Sequence, residues 1–543
     1  MSVRLSQLHW LMLLVLLTLA SGHAIVAQEA AATLPPAVAP DPLRDSARLT
    51  QLISELDRSI EQVRQEWQVP GLSVGIVFND QLLLSKGYGV RRMGASDTVD
   101  GDTLFAIASN SKAFTAAALA ILVDEGKLNW DDHVYKHLPW FRLKDEAATR
   151  DIRIRDLLCH RSGLGTFSGD LLWWGTSYSP REVLERAAQL EPTAAFRAEY
   201  GYSNLMFLAA GQVIEATSGL SWSDFVSQRI LQPLNMNRSI CSVRDLLANE
   251  NFATPHKTGD NASQPIPWVN WDTMAAAGGI ISSSNDMTQW LRVQLNGGAV
   301  NPELRLFSEA TGWEMWQAHT PMKISEAAAK RSPFTHFRSY GLGWSLNDLH
   351  GHKLVGHGGG YDGMYSQVVM IPQEKLAVVV LTNSMTSIGN YLCNHIVAKT
   401  LQLPEKQTSQ ESLTQFKKSR EAFHSRIAKA IVPVATGTQP SHALEAYTGE
   451  FLCPMYGPGS VQLENAKLVL RLQPNPDLVA DLEHLHYDTF VIKWRKQYAW
   501  FEQGTAHFVA NAQGIFTDIQ LDVPNDDLWF YEIHLHRINP PPK

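Results

Sequence analysis

The amino-acid sequence predicts an α+β domain over residues 45–405, a helix and linker at 406–440, and a small all-β, barrel-like domain at 441–543. Three observations predict it. The 543 residues exceed what one compact core usually holds, so more than one domain is expected. Strand-like segments stand at both ends of the first region with helical patterns between them, which suggests a sheet closed by its first and last segments. Beyond the linker, apolar and polar residues alternate in short runs bounded by turn residues, as strands require.

Taken in order, the first element is an amphipathic helix. Leu49, Leu52, Ile53, Leu56, Ile60, Val63 and Trp67 recur at three- and four-residue steps, and Pro70-Gly71 ends it. LSVGIVFNDQLLLSKGYGV then reads as a hairpin turning at Asn79-Asp80. From Ser109 to Glu125 the pattern is helical, rich in Ala and Leu, with Gly126 as the stop. Residues 130–300 mix short helices with Gly, Pro and Ser turns. GLGWSL, KLVGHGGG and YSQVVMIPQEKLAVVVLTNS return to strand character. A polar helix follows at about 408–431, and PVATGTQPS is a linker by composition. In the last region Val461, Leu463, Leu468, Leu470 and Leu472 alternate around Glu464-Asn465 as another hairpin.

The N-terminus has Arg4, a short apolar run from Trp10 to Ala20 and then small residues. It reads as a signal peptide over 1–27, cleaved near Gly22 or Ala27, and 28–44 as a disordered leader rich in Ala and Pro. The alternative is an uncleaved signal anchor. Secretion or a periplasmic location is therefore expected, with no stable membrane span after signal removal, because no later apolar run is long enough. The chain is 45% hydrophobic and 18% charged, which suits a protein with a real core. A net charge of −8 without a dense Lys/Arg run argues against nucleic acid as a partner. Cys159, Cys241, Cys393 and Cys453 are far apart and lack metal-ligand spacing, so they read as mostly buried free thiols. The pairs His484/His486 and His534/His536 would each share a strand face and could chelate zinc, but a barrel face explains them equally well. No metal or other cofactor is expected.

Chemistry concentrates in three stretches. In FAIASNSKAFTAA, Ser109 and Lys112 stand three residues apart, one helical turn, so they face each other. Helix-terminal N–H groups favour negative charge on the serine oxygen, and desolvation among Phe105, Phe114 and alanines would lower the lysine pKa. In AEYGYSNLMFLAAGQVIE, Tyr202-Ser203-Asn204 opens a second helix. A tyrosine beside a lysine can be held as a phenolate and serve as base and acid, and the asparagine can bind a substrate carbonyl and the lysine. In VGHGGGYDGMYS, the glycines after His357 let a substrate approach a strand closely.

S-x-x-K, Y-x-N and H-x-G in this order resemble the three motifs of the serine β-lactamase and penicillin-binding-protein superfamily, in its class C β-lactamase-like branch. VPGLSVGIVFNDQLLLSKGYGV, LVDEGKLNWDDHVYKHLP, IRDLLCHRSGL and AAGGIISSSNDMTQWL resemble that family's segments too, so the likeness spans roughly residues 50–400. YTGEF and LEHLHYDTF resemble the lipocalin-like β domain often appended to such hydrolases. The resemblance implies a β-lactamase/transpeptidase-like fold, an antiparallel sheet flanked by helices plus a helical subdomain. It implies Ser109 as nucleophile, Lys112 as its activator and Tyr202 as general base and acid. Asn204, His357, Gly358, Gly359 and Gly360 would bind substrate, and the backbone N–H groups of Ser109 and Gly360 would form the oxyanion hole.

His357 stands where β-lactamases usually carry lysine. With an unperturbed pKa of about 6.5, a half-charged imidazole would hold a carboxylate poorly. The expected activity is therefore cleavage of an amide or ester, in a short peptide containing a D-residue or in a small ester. The alternatives are a β-lactamase or a penicillin-binding sensor that does not hydrolyse. Whether Trp173 and Trp174 line an apolar cleft or pack as core stays open at this level.

Overall fold

The computed structural model describes residues 46–258 and 263–538; the predicted signal peptide and leader lie outside the described residues. Helix α1 (Ser46–Glu66) buries Leu56, Ile60 and Val63, the stripe that its periodicity marks. Strands β1 (Gly71–Phe78) and β2 (Gln81–Gly89) form the expected hairpin. Its two turn residues, Asn79 and Asp80, have φ of 48° and 62°, the left-handed pair that a two-residue turn needs to match strand twist.

The main sheet is completed by β3 (Thr320–Pro321), β4 (Arg338–Tyr340), β5 (Ser345–Leu349), β6 (His352–Tyr361), β7 (Met364–Ile371) and β8 (Leu376–Thr382). Its order is β2-β1-β8-β7-β6-β5-β4-β3. The first and last long segments do meet: Leu72 lies opposite Thr382 and Phe78 opposite Leu376. Every residue of β1 and β8 is buried, consistent with the unbroken Ala377–Leu381 apolar run rather than alternation.

Four further helices matter for the site and its supports. They are α2 (Ser111–Asp124), α3 (Asn204–Ser218), α4 (Ser284–Leu295) and α5 (Ile388–Leu401). Helix α2 is buried on all sides from Ser111 to Leu122, and its alanines let α3 pack close. Helices α4 and α5 lie on the sheet beside β8. A polar helix, α6 (Ser409–Ala430), starts in a capping box of Thr408 and Glu411, two residues from the predicted boundary at most.

The C-terminal region closes into an antiparallel barrel of eight strands: β9 (Gly449–Cys453), β10 (Gly457–Glu464), β11 (Lys467–Leu472), β12 (Val479–His486), β13 (Thr489–Trp494), β14 (Gly504–Ala510), β15 (Phe516–Asp522) and β16 (Leu535–Arg537). Closure leaves no sheet edge. Aromatic rings fill part of the interior, with Tyr447 stacked on Phe516 at 4.3 Å and set edge-on to Phe490 and Phe508 at 5.1 Å each. A register shift between His484 and His486 breaks the alternation that a shared strand face would need. His536 instead bonds Asp518, and no group of three or more metal-capable side chains occurs among the described residues. All four cysteines are buried free thiols, as read. No described helix is long and apolar enough to cross a membrane.

Candidate active site

Ser109 does not sit on α2 itself. It lies in a 3-10 turn, Ala108–Asn110, just before the helix, and Ala108 is held at φ 47°. A non-glycine residue there is strained and must be held by its surroundings. Gly359 on β6 supplies part of that hold: a Cβ there would collide with the Ile107 carbonyl and lie 3.0 Å from the Ser109 nitrogen. Ser366 donates to the same Ile107 carbonyl at 2.6 Å and accepts from Asn110 Nδ2 at 2.8 Å. The strand and the serine turn thus touch with no room for a side chain between them.

Lys112, one turn on, is fully buried. Its Nζ is 3.0 Å from Ser109 Oγ, 2.7 Å from Asn204 Oδ1 and 2.9 Å from the Ala277 carbonyl. Burial drives its pKa down to about 7, while the charge of Asp170 pulls the other way. The lysine therefore exchanges its proton near neutral pH.

The Tyr202-Ser203-Asn204 turn is stitched to the loop before it. Tyr202 N–H donates to Thr166 Oγ1, its carbonyl accepts from Phe167 N–H, and Ser203 N–H donates to His160 Nδ1 at 3.0 Å. That last bond fixes His160 as a neutral ring with its proton on Nε2. His160 stacks on Tyr202 at 4.1 Å. The Tyr202 ring lies 4.8 Å from Lys112 Nζ. Burial raises the Tyr202 pKa well above 10, although a hydrogen bond with Ser109 opposes the shift. The tyrosine therefore rests as a phenol rather than in the phenolate form that the neighbouring lysine could allow.

The reading of His357 is corrected as well. The imidazole is buried, its Nδ1 lies 2.6 Å from the Gly358 carbonyl, and its Nε2 lies 2.7 Å from Tyr340 Oη. A carbonyl only accepts, so Nδ1 carries the proton and Nε2 accepts from the tyrosine. Burial, and then the charge of Lys112, lower its pKa to about 3. The ring is neutral at pH 6 and pH 8 alike and offers no free N–H to a substrate. It shapes β6 instead. Beyond Gly356 that strand has no β5 partner, so Gly358, Gly359 and Gly360 run along a free edge beside Ser109.

Several site residues carry no motif. Asp170 accepts from Asn204 Nδ2 at 2.6 Å and from Trp173 Nε1 at 3.0 Å. Asp362 accepts from Trp271 Nε1 at 3.0 Å and Trp174 Nε1 at 3.4 Å. Trp173 and Trp174 are thus core residues whose indoles serve buried carboxylates. One signal was available: Asp170 is the only charged residue in GTFSGDLLWWGTSYSP. The barrel contributes too. Glu532 accepts from Ser168 Oγ at 2.5 Å and Gly169 N–H at 2.8 Å, and the Trp529 and Trp500 rings lie where side chains at Gly165 and Gly360 would point. A cavity of about 610 Å³ between α6 and the barrel, lined by Arg420, His424, Lys493 and Tyr498, includes none of the motif residues.

A serine beside a buried, near-neutral lysine, at the free edge of a glycine-rich strand, is the constellation of a serine hydrolase. The chain belongs to the beta-lactamase family, whose model matches residues 56–396, and a domain of unknown function, DUF3471, matches 434–537. It is 29% identical over 422 residues to the unguisins hydrolase ungD' of Aspergillus campestris, covering 73% of this chain and 75% of that protein. It is 28% identical over 371 residues to protein flp of Staphylococcus aureus, covering 67% and 69%. Its fold is similar to the octameric penicillin-binding protein homologue from Pyrococcus abyssi, with a TM-score of 0.57, 22% identity, and 89% and 99% of the two chains covered. The protein is a serine β-lactamase-family hydrolase.

Proposed function

We propose that the protein is an exported hydrolase of the class C β-lactamase-like type that cleaves an amide or ester through an acyl-enzyme on Ser109. The observation that carries this is the 3.0 Å contact between Ser109 Oγ and a lysine Nζ whose pKa is about 7. Neutral Lys112 takes the hydroxyl proton as Oγ bonds the substrate carbonyl carbon. The carbonyl oxygen gains charge and is met by the N–H groups of Ser109 and Gly360 on the free strand edge. The bond to the leaving nitrogen or oxygen then breaks, and Tyr202, resting as a phenol, donates the proton it needs. Water adds to the acyl carbon and releases the acid, with Lys112 and Tyr202 returning to their starting states.

The substrate is a short peptide containing a D-residue, or a small ester. A neutral His357 supplies no counter-ion for a substrate carboxylate, which supports a substrate without one near that strand. Trp500 beside Gly360 and Trp529 beside Gly165 support a compact substrate. The similarity to a hydrolase named for unguisins supports hydrolysis over mere binding. The test is a panel of p-nitrophenyl esters, D- and L-amino-acid amides and nitrocefin. Turnover of esters or D-amides above nitrocefin is expected. Rapid nitrocefin turnover would make the protein a β-lactamase, and a stable penicillin adduct with no turnover of anything would make it a binding protein.

A further inference from the structure

The Asn204 side chain has two orientations that differ only by exchange of its oxygen and nitrogen. Only one presents an acceptor to Lys112. In the structure Asn204 Oδ1 accepts from Lys112 Nζ at 2.7 Å while Nδ2 donates to Asp170 at 2.6 Å. Asp170 is buried at 3% exposure, and both of its oxygens accept from N–H groups, the second from Trp173 Nε1. A carboxylic acid would need an acceptor for its own proton, so these two hydrogen bonds favour the ionised form, against the burial that raises its pKa.

We propose that Asp170 is a positioning residue of the active site: its buried carboxylate locks the Asn204 amide in the orientation that serves Lys112, and supplies the counter-charge that the lysine otherwise lacks. This rests on the reading of Ser109 as nucleophile and Lys112 as its base. A charged lysine selects the amide oxygen by itself, but the neutral amine can accept as well as donate. In the form that acts as base it is therefore Asp170 that keeps Asn204 from flipping and pointing a donor at the lysine. The loop that carries Asp170 is held from behind, since Glu532 of the barrel accepts from Ser168 and Gly169. The titratable groups around the pair are few. Tyr202, His160 and His357 surround the lysine in uncharged form. On the other side Asp527, between β15 and β16, repels Asp170 and adds to the effect of burial, which raises Asp170 to about 7. The hydrogen bonds that Asp170 accepts from Trp173 and Asn204, and then the charge of Lys112, oppose this.

The experiment is the rate of Ser109 labelling by a fluorophosphonate, read by intact mass from pH 5 to 9. It compares wild type, Asp170→Asn and Trp173→Phe. Asp170→Asn is expected to slow labelling on the plateau by about 10²-fold, the scale of a misplaced catalytic group. It also removes a negative charge that favours the charged lysine, so the ascending limb moves to lower pH by about one unit. Trp173→Phe removes a donor that favours ionised Asp170, so it moves the limb in the same direction by less. A purely structural role would lower the folded fraction and leave the limb in place. A limb unmoved in both variants overturns the proposal, and if Asp170→Asn does not fold, Trp173→Phe decides it. Wild type that is not labelled at Ser109 overturns the hydrolase reading, and this proposal with it, whereas labelled wild type with unmoved limbs overturns this proposal alone.

Discussion

On the helical wall of the cleft Lys112 is dry and exchanges its proton near pH 7; on the strand wall His357 is equally dry and stays neutral down to about pH 3. The dominant cause is the same, burial that penalises a cation. The outcomes differ because the residues start from different places. Lysine, lowered from 10.5, lands where a base is useful. Histidine, lowered from 6.5, leaves the working range and becomes a fixed pair of hydrogen-bonding atoms between Tyr340 and the Gly358 carbonyl. The two walls therefore divide the labour: proton transfer by Lys112 on α2 and Tyr202 in the turn before α3, shape and the Gly360 backbone donor on β6.

The division can be broken most severely at the nucleophile. Ser109→Ala is expected to abolish covalent labelling by a fluorophosphonate or penicillin probe, with an unchanged melting temperature; intact mass reads the adduct. Next comes the base. Lys112→Ala is expected to lower kcat/KM by about 10³-fold, within the range for removing a positioned base. Lys112→Arg should be as damaging, because a guanidinium keeps the charge and never yields the proton. Activity in the arginine variant near wild type would mean that charge, not proton transfer, is what Lys112 supplies.

The barrel gives a smaller effect. Glu532→Ala leaves Ser168 and the Gly169 N–H without their partner, so stability in urea is expected to fall by about 1–3 kcal/mol. The kcat should fall with it, and Glu532→Gln should recover part of both. The strand wall gives less again. Both imidazole nitrogens are already used and the ring is uncharged, so the ratio of ester to nitrocefin turnover should be the same at pH 6 and pH 8. His357→Lys, if it folds, should shift preference toward carboxylate-bearing substrates. The last effect concerns stability. Buried His357 and His160 have pKa values below their unfolded ones, so between those values the unfolded chain binds more protons. Their contribution to stability is full above about pH 6.5 and declines as pH falls, which a series of urea midpoints from pH 7.5 to 5 would reveal.

Much of this site was legible in the chain. Ser109, Lys112, Tyr202 and Asn204 converge, and β6 brings Gly359 against the serine turn. These residues are marked by short spacings that backbone geometry makes meaningful. The α+β order and the β character of the last hundred residues were legible from periodicity, whereas the barrel form was expected only from the resemblance to a lipocalin-like domain. What was not legible depends on burial and on partners far away in sequence. The charge state of His357 follows from Tyr340 and the dryness of the site, neither of which a motif records. Asp170 reaches Asn204 from 34 residues away. Glu532 reaches Ser168 from 364 residues away, across a predicted domain boundary.

The central claim is that the titrating base is Lys112 and not His357. It is tested most directly by the rate of Ser109 acylation between pH 5 and 9 in wild type and His357→Gln. The account predicts one ascending limb centred near pH 7, in the same place in both proteins, because burial sets the lysine there and the imidazole does not titrate in that range. A limb that disappears or moves strongly in His357→Gln, or a rate independent of pH across the whole range, would contradict it.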